Sequence, residues 1–598
     1  MMNSGVSIRY GDVAPEAKEN FVPTASESQF DTLAQLQQYN LNFPNYANPC
    51  ELYQTVLDGT ATAFPSVPEN ANLGLWSEQI SNDDGTFTEP IVLELESEGQ
   101  YSSQGLTLTF DTYNQIYPTH INIKWFRYAE GTMTELSPNG GVDFYPDNAF
   151  YFCRKKVENY NKVVITFYAL NMPKNRLKLR VIDYGYGTFF YGDELRNVKL
   201  IQELNPVSTE ISINTADFTL DSKSDSDMEY SFQAKQPLSV YFNGELKATT
   251  FVKKSTRKSK RLWSIQSEDY IGLLDSIPYY GGIYTDKNAV ELLTDIFTVA
   301  KVPYSIDDVF ADAAVTGYIP FTTCRDALMQ VAFSIQAVVD TSNSDVVKVF
   351  ALEEDVKQTV PLNRIMQGQN FADEETVTGV EVAVHSYKPI AETIDVYDAR
   401  ESGIGENIFI QFSEPLHDLK IGILDSDDNF VEAPERAEIL ESNANYAILN
   451  INKLCILRGE IYEHSTQTRR KNNPTVLASE IEKVIAINSA TLVSQYNVDN
   501  ILDKCYNWII KTNTTNLKIV EGKHVQYGEP YKYGTGLKYG TGLKYGGRYP
   551  NIITCDEKVN VGDNIKAETE YLGVVSGRLI KQSFNLNGNI IVKEAVLK

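Results

Sequence analysis

Three short runs restrict what this chain can fold into. GLTLTFDT (Gly105–Thr112), HINIKWFRY (His120–Tyr128) and KVVITFYAL (Lys162–Leu170) each alternate apolar and polar residues with a period of two. That is the period of a strand with one face on a core and the other in water. Turn signals stand between the runs, at Tyr117-Pro118, Pro138 to Gly141 and Pro146 to Asn148. Short alternating strands punctuated in this way predict a β-sandwich or jelly roll.

Strand texture returns further on. NPVSTEISINTADFTLD (Asn205–Asp221) and QPLSVYFNGELKATTFVKKS (Gln236–Ser255) read as strands and a hairpin, with Asn243-Gly244 as the turn. RLWSIQSEDYIGLLDS (Arg261–Ser276) passes from strand to short helix. AVELLTDIFTVAKV (Ala289–Val302) and TTCRDALMQVAFSIQAVVD (Thr322–Asp340) have helical spacing, the second with an N-cap at Thr322 or Thr323, and VVKVFAL (Val346–Leu352) is a strand. Strands dominate again from 375 to 470. Leu477–Asn513 has helical patterning, and the tail is β-rich. A six-residue unit, KYGTGL, occurs twice from Lys532 and then decays to KYGGRY.

At 598 residues the chain exceeds one core, so roughly three to five domains are expected. The fold class is mainly β and multidomain, a jelly-roll-like sandwich followed by β-barrel domains with small α/β insertions. Boundaries follow from the texture. Residues 1–73 form an extended arm with a helical turn around Phe30–Tyr39, and 74–192 form the sandwich. A first β-barrel covers 193–284, a small α/β domain 285–374 and a second β-barrel 375–475. Residues 476–598 hold a helical segment and a C-terminal β region with the repeat loop.

Charge and composition narrow the function. Lys plus Arg is 53 and Asp plus Glu is 79, a formal charge of −26. A general nucleic-acid binder would carry the opposite sign. The 36 Tyr suit sheets and wide subunit interfaces, where a flat ring packs and a hydroxyl meets water or a partner. The six Cys are scattered without a CxxC pair, which predicts reduced, mostly buried thiols. The five His are far apart in sequence, so no metal site is expected from neighbouring ligands. No run approaches eighteen apolar residues and the first residues lack a signal-peptide pattern. The expectation is no membrane insertion, synthesis in a bacterial cytoplasm, and no cofactor. GxSxG and GxxxxGK[ST] patterns are missing, so no catalytic residue is assigned and the chain is read as not an enzyme. A carboxylate pair acting on glycosidic bonds stays open among so many acids.

Candidate sites each carry two readings. Trp76, Trp125 and Tyr128 could stack on a sugar ring, or belong to the core; Trp125 and Tyr128, three apart in one strand, must point to opposite faces. Lys253, Lys254, Arg257, Lys258, Lys260 and Arg261 are a basic cluster in an acidic chain, for an acidic partner or as a solvated hairpin tip. Tyr533, Tyr539 and Tyr545 of the repeat are contact anchors, or mark slippage in a tolerant loop.

Several segments in order resemble the hub proteins of phage tails and phage-tail-like particles. KLIQELNPVSTEISINTADFTLD is similar to that family's first barrel strands. SEDYIGLLDSIPYYGGIYTDKNAVELLTDIF and PFTTCRDALMQVAFSIQAVVDTSNSDVVKVF follow as the block between two barrels, and GVVSGRLIKQSFNLNGNIIVKEAV resembles the closing strands. LWSEQISNDDGTFTEPIVLELESEGQYSSQGLTLTFDTYNQIYPTHINIKWF resembles a galactose-binding-type sandwich set before the first barrel. The resemblance implies a baseplate component of a Gram-positive bacterium's phage or bacteriocin particle. It implies a homotrimeric ring that joins the tail tube to a central spike and other baseplate proteins. It also implies possible contacts with tape-measure protein and a surface glycan, and no specific nucleic acid.

Overall fold

The computed structural model describes residues 6–13, 17, 20–23, 30–31 and 75–598, apart from 222–234, 475–481, 531–547, 554–558 and isolated positions or pairs. The chain is mainly β and multidomain. It divides into two units: Met1–Leu195 with Leu220–Glu245 and Ser255–Trp263, and Arg196–Thr219 with Leu246–Lys254 and Ser264–Lys598.

In the first unit the period-two runs form a sandwich. The Thr86–Thr109, Phe150–Leu170 and Pro118–Ala129 strands are neighbours in a seven-stranded sheet, and Arg176–Leu179, Leu75–Ile80 and Phe30–Asp31 form a three-stranded one. Leu93 lies opposite Ile165, and Ile123 also faces Ile165, so the alternating positions stack across strands. These positions, with Ile91, Leu95, Val163 and Phe167, are fully buried. The long Thr86–Thr109 strand slips register near Gly105, whose φ is 147°. A Cβ there would lie 2.2 Å from the Cys153 carbonyl oxygen, so the bulge needs glycine. Val6–Val13 pairs with Gly185–Tyr191 on one side and Pro237–Phe242 on the other, and Arg9 holds Asp183 at 2.9 Å. The start of the expected arm is thus a strand of the chain's own sheet. Phe30–Asp31, expected helical, is a strand against Leu75–Ile80; the rest of that segment lies outside the described residues, as does the Asn243-Gly244 turn.

The second unit is nested. Leu195–Glu203 pairs with Gly573–Asn587, from Val198 opposite Leu586 to Glu203 opposite Lys581. Ile590–Leu597, Asn513–Glu521 and Asn370–Asp373 continue that sheet in order. Leu517, Ile519, Ala595 and Leu597 fill its core. Between these strands the chain builds an α/β layer and a second β region. Helix Ala289–Ala300 is capped by Asn288, whose Oδ1 accepts from Val290 and Glu291, and helix Cys324–Ser334 by Thr323. Their apolar faces meet in one core with Val380, Val382 and Leu492. The second β region packs a five-stranded sheet, including Gly379–Asp398 and Ile456–Asn472, on a three-stranded one around Ile410, Leu449 and Leu457.

Among the described residues of Leu477–Asn513, helix holds for Val498–Ile509. Val484–Ile487 is instead a parallel strand beside Gly379–Asp398. The β-branched run VIAI suits a pleated surface, and Asn488-Ser489 interrupts any helix before 498.

Candidate functional site

The second unit's long sheet has two unlike faces. On Asn513–Glu521, Leu517 and Ile519 go to the core, while Asn516 and Lys518 fall on the other side. Register then lines up opposite charges across strands. Lys518 lies opposite Glu594, 3.6 Å away, and Lys581 lies opposite Glu203 and pairs with it. Asn516 donates to Asn370 at 2.6 Å. A shallow depression of about 430 Å³ runs over this face, lined by Asn370, Lys518, Lys581, Ser583 and Glu594. On Thr215–Asp221, burial raises the Asp217 carboxyl above its usual range and Lys199 opposes the shift. The arrangement is a wet wall of paired charges.

The opposite face buries polar groups as well. Gln582 donates to Gln202 at 2.6 Å, and Lys593 is enclosed beside Phe584. Deeper in the unit, Asp269 caps a short helix by accepting from Ile271 and Gly272, and accepts the Thr341 hydroxyl at 2.6 Å. Asn214 donates to Thr341 and to Asp340, which also accepts from Ser342. Burial pushes Asp269 up to about 7 and raises Asp340 as well.

Sequence candidates fare unevenly. Trp125 is 0% exposed, so it has no face to offer a sugar; the tight alternation of its strand drives it into the core. Tyr128, three residues on, is 55% exposed beside Met133. Trp76 lies in the Leu75–Ile80 strand, its side chain outside the described residues. The basic cluster sits on Glu245–Arg257, Leu262–Glu268 and their turn, where Lys258 N–H donates to the Leu262 carbonyl. Lys253 pairs with Glu268, Arg261 reaches Asp221 at 3.9 Å and Arg257 lies 4.9 Å over the Trp263 ring. Lys254 and Lys258 are exposed, and Lys260 is outside the described residues. Nearby acids and an aromatic ring thus take up three of these cations. Tyr533, Tyr539 and Tyr545 also lie outside the described residues, between the paired strands His524–Pro530 and Arg548–Ile553.

Two clusters escaped the sequence. His385 and His464, 79 positions apart, meet with Nδ1 and Nε2 at 2.9 Å, and Tyr387 stacks on His464. Burial and the neighbouring His464 hold His385 below the usual imidazole range. Only the register of Gly379–Asp398 against Ile456–Asn472 brings them together. The Asp269 network had one legible sign, an Asp before the apolar run YIGLL. Among the described residues no group of three metal-ligating side chains converges, and no helix is long and apolar enough to cross a membrane.

No family model and no curated protein matches the sequence. Three solved structures are similar in fold outline. One is the tail protein from Neisseria meningitidis MC58, 10% identical, with TM-score 0.38 over 68% of this chain and 93% of that one. Another is the prophage MuSo2 43 kDa tail protein from Shewanella oneidensis, 8% identical, with TM-score 0.38 over 68% and 95%. The third is prophage tail protein gp18 from Listeria monocytogenes EGD-e, 10% identical, with TM-score 0.33 over 69% and 91%. At these values the likeness establishes no function.

Proposed function

We propose that the chain is a structural baseplate hub of a phage tail or phage-tail-like particle, working as a homotrimeric ring between tail tube and spike. The observation that supports it is the nested sheet with two faces. Strands from both ends of the second unit close it, so the β regions it encloses are pinned from two directions. Its outer face carries ion pairs at directly opposed positions, which suits a wall that meets water or a neighbouring subunit. Tube, spike, other baseplate proteins and tape-measure protein are the partners of such a wall. The resemblance of the quoted segments to tail hubs gives the same reading.

Light scattering on the purified chain tests it. A mass near three times 67.2 kDa, with rings in negative stain, is the expected result. A monomer that stays monomeric at high concentration and with added tube protein overturns it. The second reading, a glycan- or receptor-binding tail protein acting through the sandwich, is favoured by Tyr128, which stands exposed at a strand end. A glycan array that lights up with the chain and goes dark with Tyr128→Ala supports that reading instead.

A further inference from the structure

The solvent side of the seven-stranded sheet carries a stack of three rings that the core of the sandwich does not require. On Pro118–Ala129, Ile121, Ile123 and Trp125 point inward, so His120 and Asn122 point outward. Asn122 lies opposite Asp143 of the short strand Val142–Phe144 on one side and opposite Thr166 of Phe150–Leu170 on the other. His120 is opposite Ala169 and Ile121 is opposite Phe167, so Tyr168 is the extra residue of a bulge that turns its ring toward His120. The His120 ring lies 4.4 Å from Tyr168 and 5.0 Å from Tyr145, nearly parallel to both. Tyr145 ends the stack and is 65% exposed, with one ring face on His120 and the rest in water. Pro146 keeps the Tyr145 backbone extended, and the Tyr151 hydroxyl hydrogen-bonds to that backbone.

A carboxylate is fixed beside these rings. Asp143 Oδ1 accepts from Asn122 Nδ2 at 3.0 Å and from His120 Nε2 at 2.9 Å, and Asn122 also donates to the Gly140 carbonyl at 3.0 Å. The Asn122 and His120 bonds hold the Asp143 carboxyl below its usual range. Both bonds use Oδ1, and among the described residues Oδ2 takes none. The Asp143 side chain is half exposed, so Oδ2 can accept from a donor outside the chain.

A flat ring face beside a fixed acceptor matches a pyranose, which has one C–H face and a rim of hydroxyl donors. Other ligands match less well. An aromatic cage for a cation needs several ring faces turned to one point, and these rings face one another. A protein partner needs an apolar patch, and the outward neighbours Asn122 and Thr166 are polar. A charged Asp143 repels an acidic sugar. We propose that Tyr145, His120 and Asp143 form a subsite for one neutral pyranose, plain or N-acetylated, with its C–H face on the Tyr145 ring and a hydroxyl donating to Asp143 Oδ2. His120 is a positioning residue that backs the Tyr145 ring and orients the carboxylate. This rests on the glycan-binding reading of the sandwich and places the site elsewhere. Tyr128 is eight residues along the same strand, roughly 26 Å away, too far for one sugar to touch both.

Saturation-transfer NMR on the full chain tests this, with methyl glycosides of galactose, glucose, mannose and their N-acetylamino forms as probes. At least one should show transfer, concentrated on the ring C–H protons of one sugar face. Tyr145→Ala should weaken its binding about tenfold or more, and Tyr145→Phe, which keeps the ring, should retain it. Asp143→Asn keeps an acceptor oxygen without the charge, and should weaken binding less than Asp143→Ala. Melting curves confirm that the variants fold. Transfer that survives Tyr145→Ala overturns this subsite; if the same transfer vanishes with Tyr128→Ala, the glycan-binding reading still stands. Transfer spread over both sugar faces, or lost equally with Tyr145→Phe, overturns the subsite as well. No transfer from any glycoside overturns both the subsite and the glycan-binding reading.

Discussion

The sandwich of the first unit and the nested sheet of the second are both antiparallel β, yet they are held differently. The sandwich core is local, although Ser77, Thr107 and the Lys178–Asp111 pair are buried beside its apolar residues. Its rings, Phe110, Phe167 and Trp125, and its aliphatics come almost entirely from one stretch of chain. The nested sheet joins strands about 380 residues apart, and it buries Gln202 against Gln582, encloses Lys593, and lies in one unit with the Asp269–Thr341–Asn214–Asp340 network. Apolar contacts are non-directional, so they tolerate a slip of register; a buried polar group does not, because a misplaced partner leaves it unsatisfied. Where closure spans most of the chain, polar pins specify which strands meet. Where neighbours in sequence are neighbours in space, alternation carries more of that specification, with fewer long-range polar pins.

The largest expected effect tests the local core. Phe167→Ala removes a fully buried ring that meets Phe110 edge-on, and should weaken the sandwich by about 3–5 kcal/mol. Hydrogen exchange, read strand by strand, should show lost protection in Thr86–Thr109 and Pro118–Ala129. Equal loss in Asn513–Glu521 and Ile590–Leu597 would break the distinction between a local core and a distant one.

Next is the polar network. Asp269→Ala removes the cap of the Tyr270–Leu274 helix and strands the Thr341 hydroxyl, for about 2–3 kcal/mol in the second unit. The pH dependence has a definite sign. Burial raises the folded Asp269 to about 7, above its unfolded value, so folding favours the neutral acid. Its contribution is full below the unfolded value and is lost as pH rises through about 7. Asp269→Asn, neutral throughout, should flatten that slope; an unchanged slope between pH 5 and 8 would remove Asp269 as its source. His385 runs the other way. Its folded value lies below the unfolded one, so its contribution is present above the usual imidazole range and is lost on acidification. Two protonated rings 2.9 Å apart would also present donor to donor. His464→Ala should therefore reduce acid sensitivity of exchange in Gly379–Asp398, and no change would discount the pair.

Much of this was legible in the sequence, and the part that was not has a physical reason. The three alternating runs, the Asn288 and Thr323 caps, and the strand-to-helix passage at Asp269 are local patterns, and local patterns survive in one dimension. Pairing is not local. Nothing in KVVITFYAL or in RLIKQSF says which distant strand it meets, so the enclosure of the second β region by strands from 198 and 586 had no sequence signal. The helix expected at Val484–Ile487 failed for the same reason, since its neighbour is Gly379–Val382. The charge cluster at 253–261 left an acidic partner open because Glu268 and Asp221 lie outside it in sequence, whereas these two acids of the same chain partly satisfy it.

The smallest expected effect sharpens the comparison most. Lys518→Ala leaves the core side of its strand untouched and removes one exposed pair with Glu594. Such a pair is worth about 0–1 kcal/mol, so the melting temperature should hardly move. If the wall only solvates the sheet, oligomer mass should not move either. If the wall meets a neighbouring subunit, Lys518→Glu, which places like charges directly opposite Glu594, should shift the mass distribution toward smaller species at low salt, and 1 M salt should restore it by screening within about 3 Å. Measured side by side, stability and mass separate the two roles of the sheet. Positions that face inward, such as Leu517, should move stability first, and positions that face outward should move assembly alone.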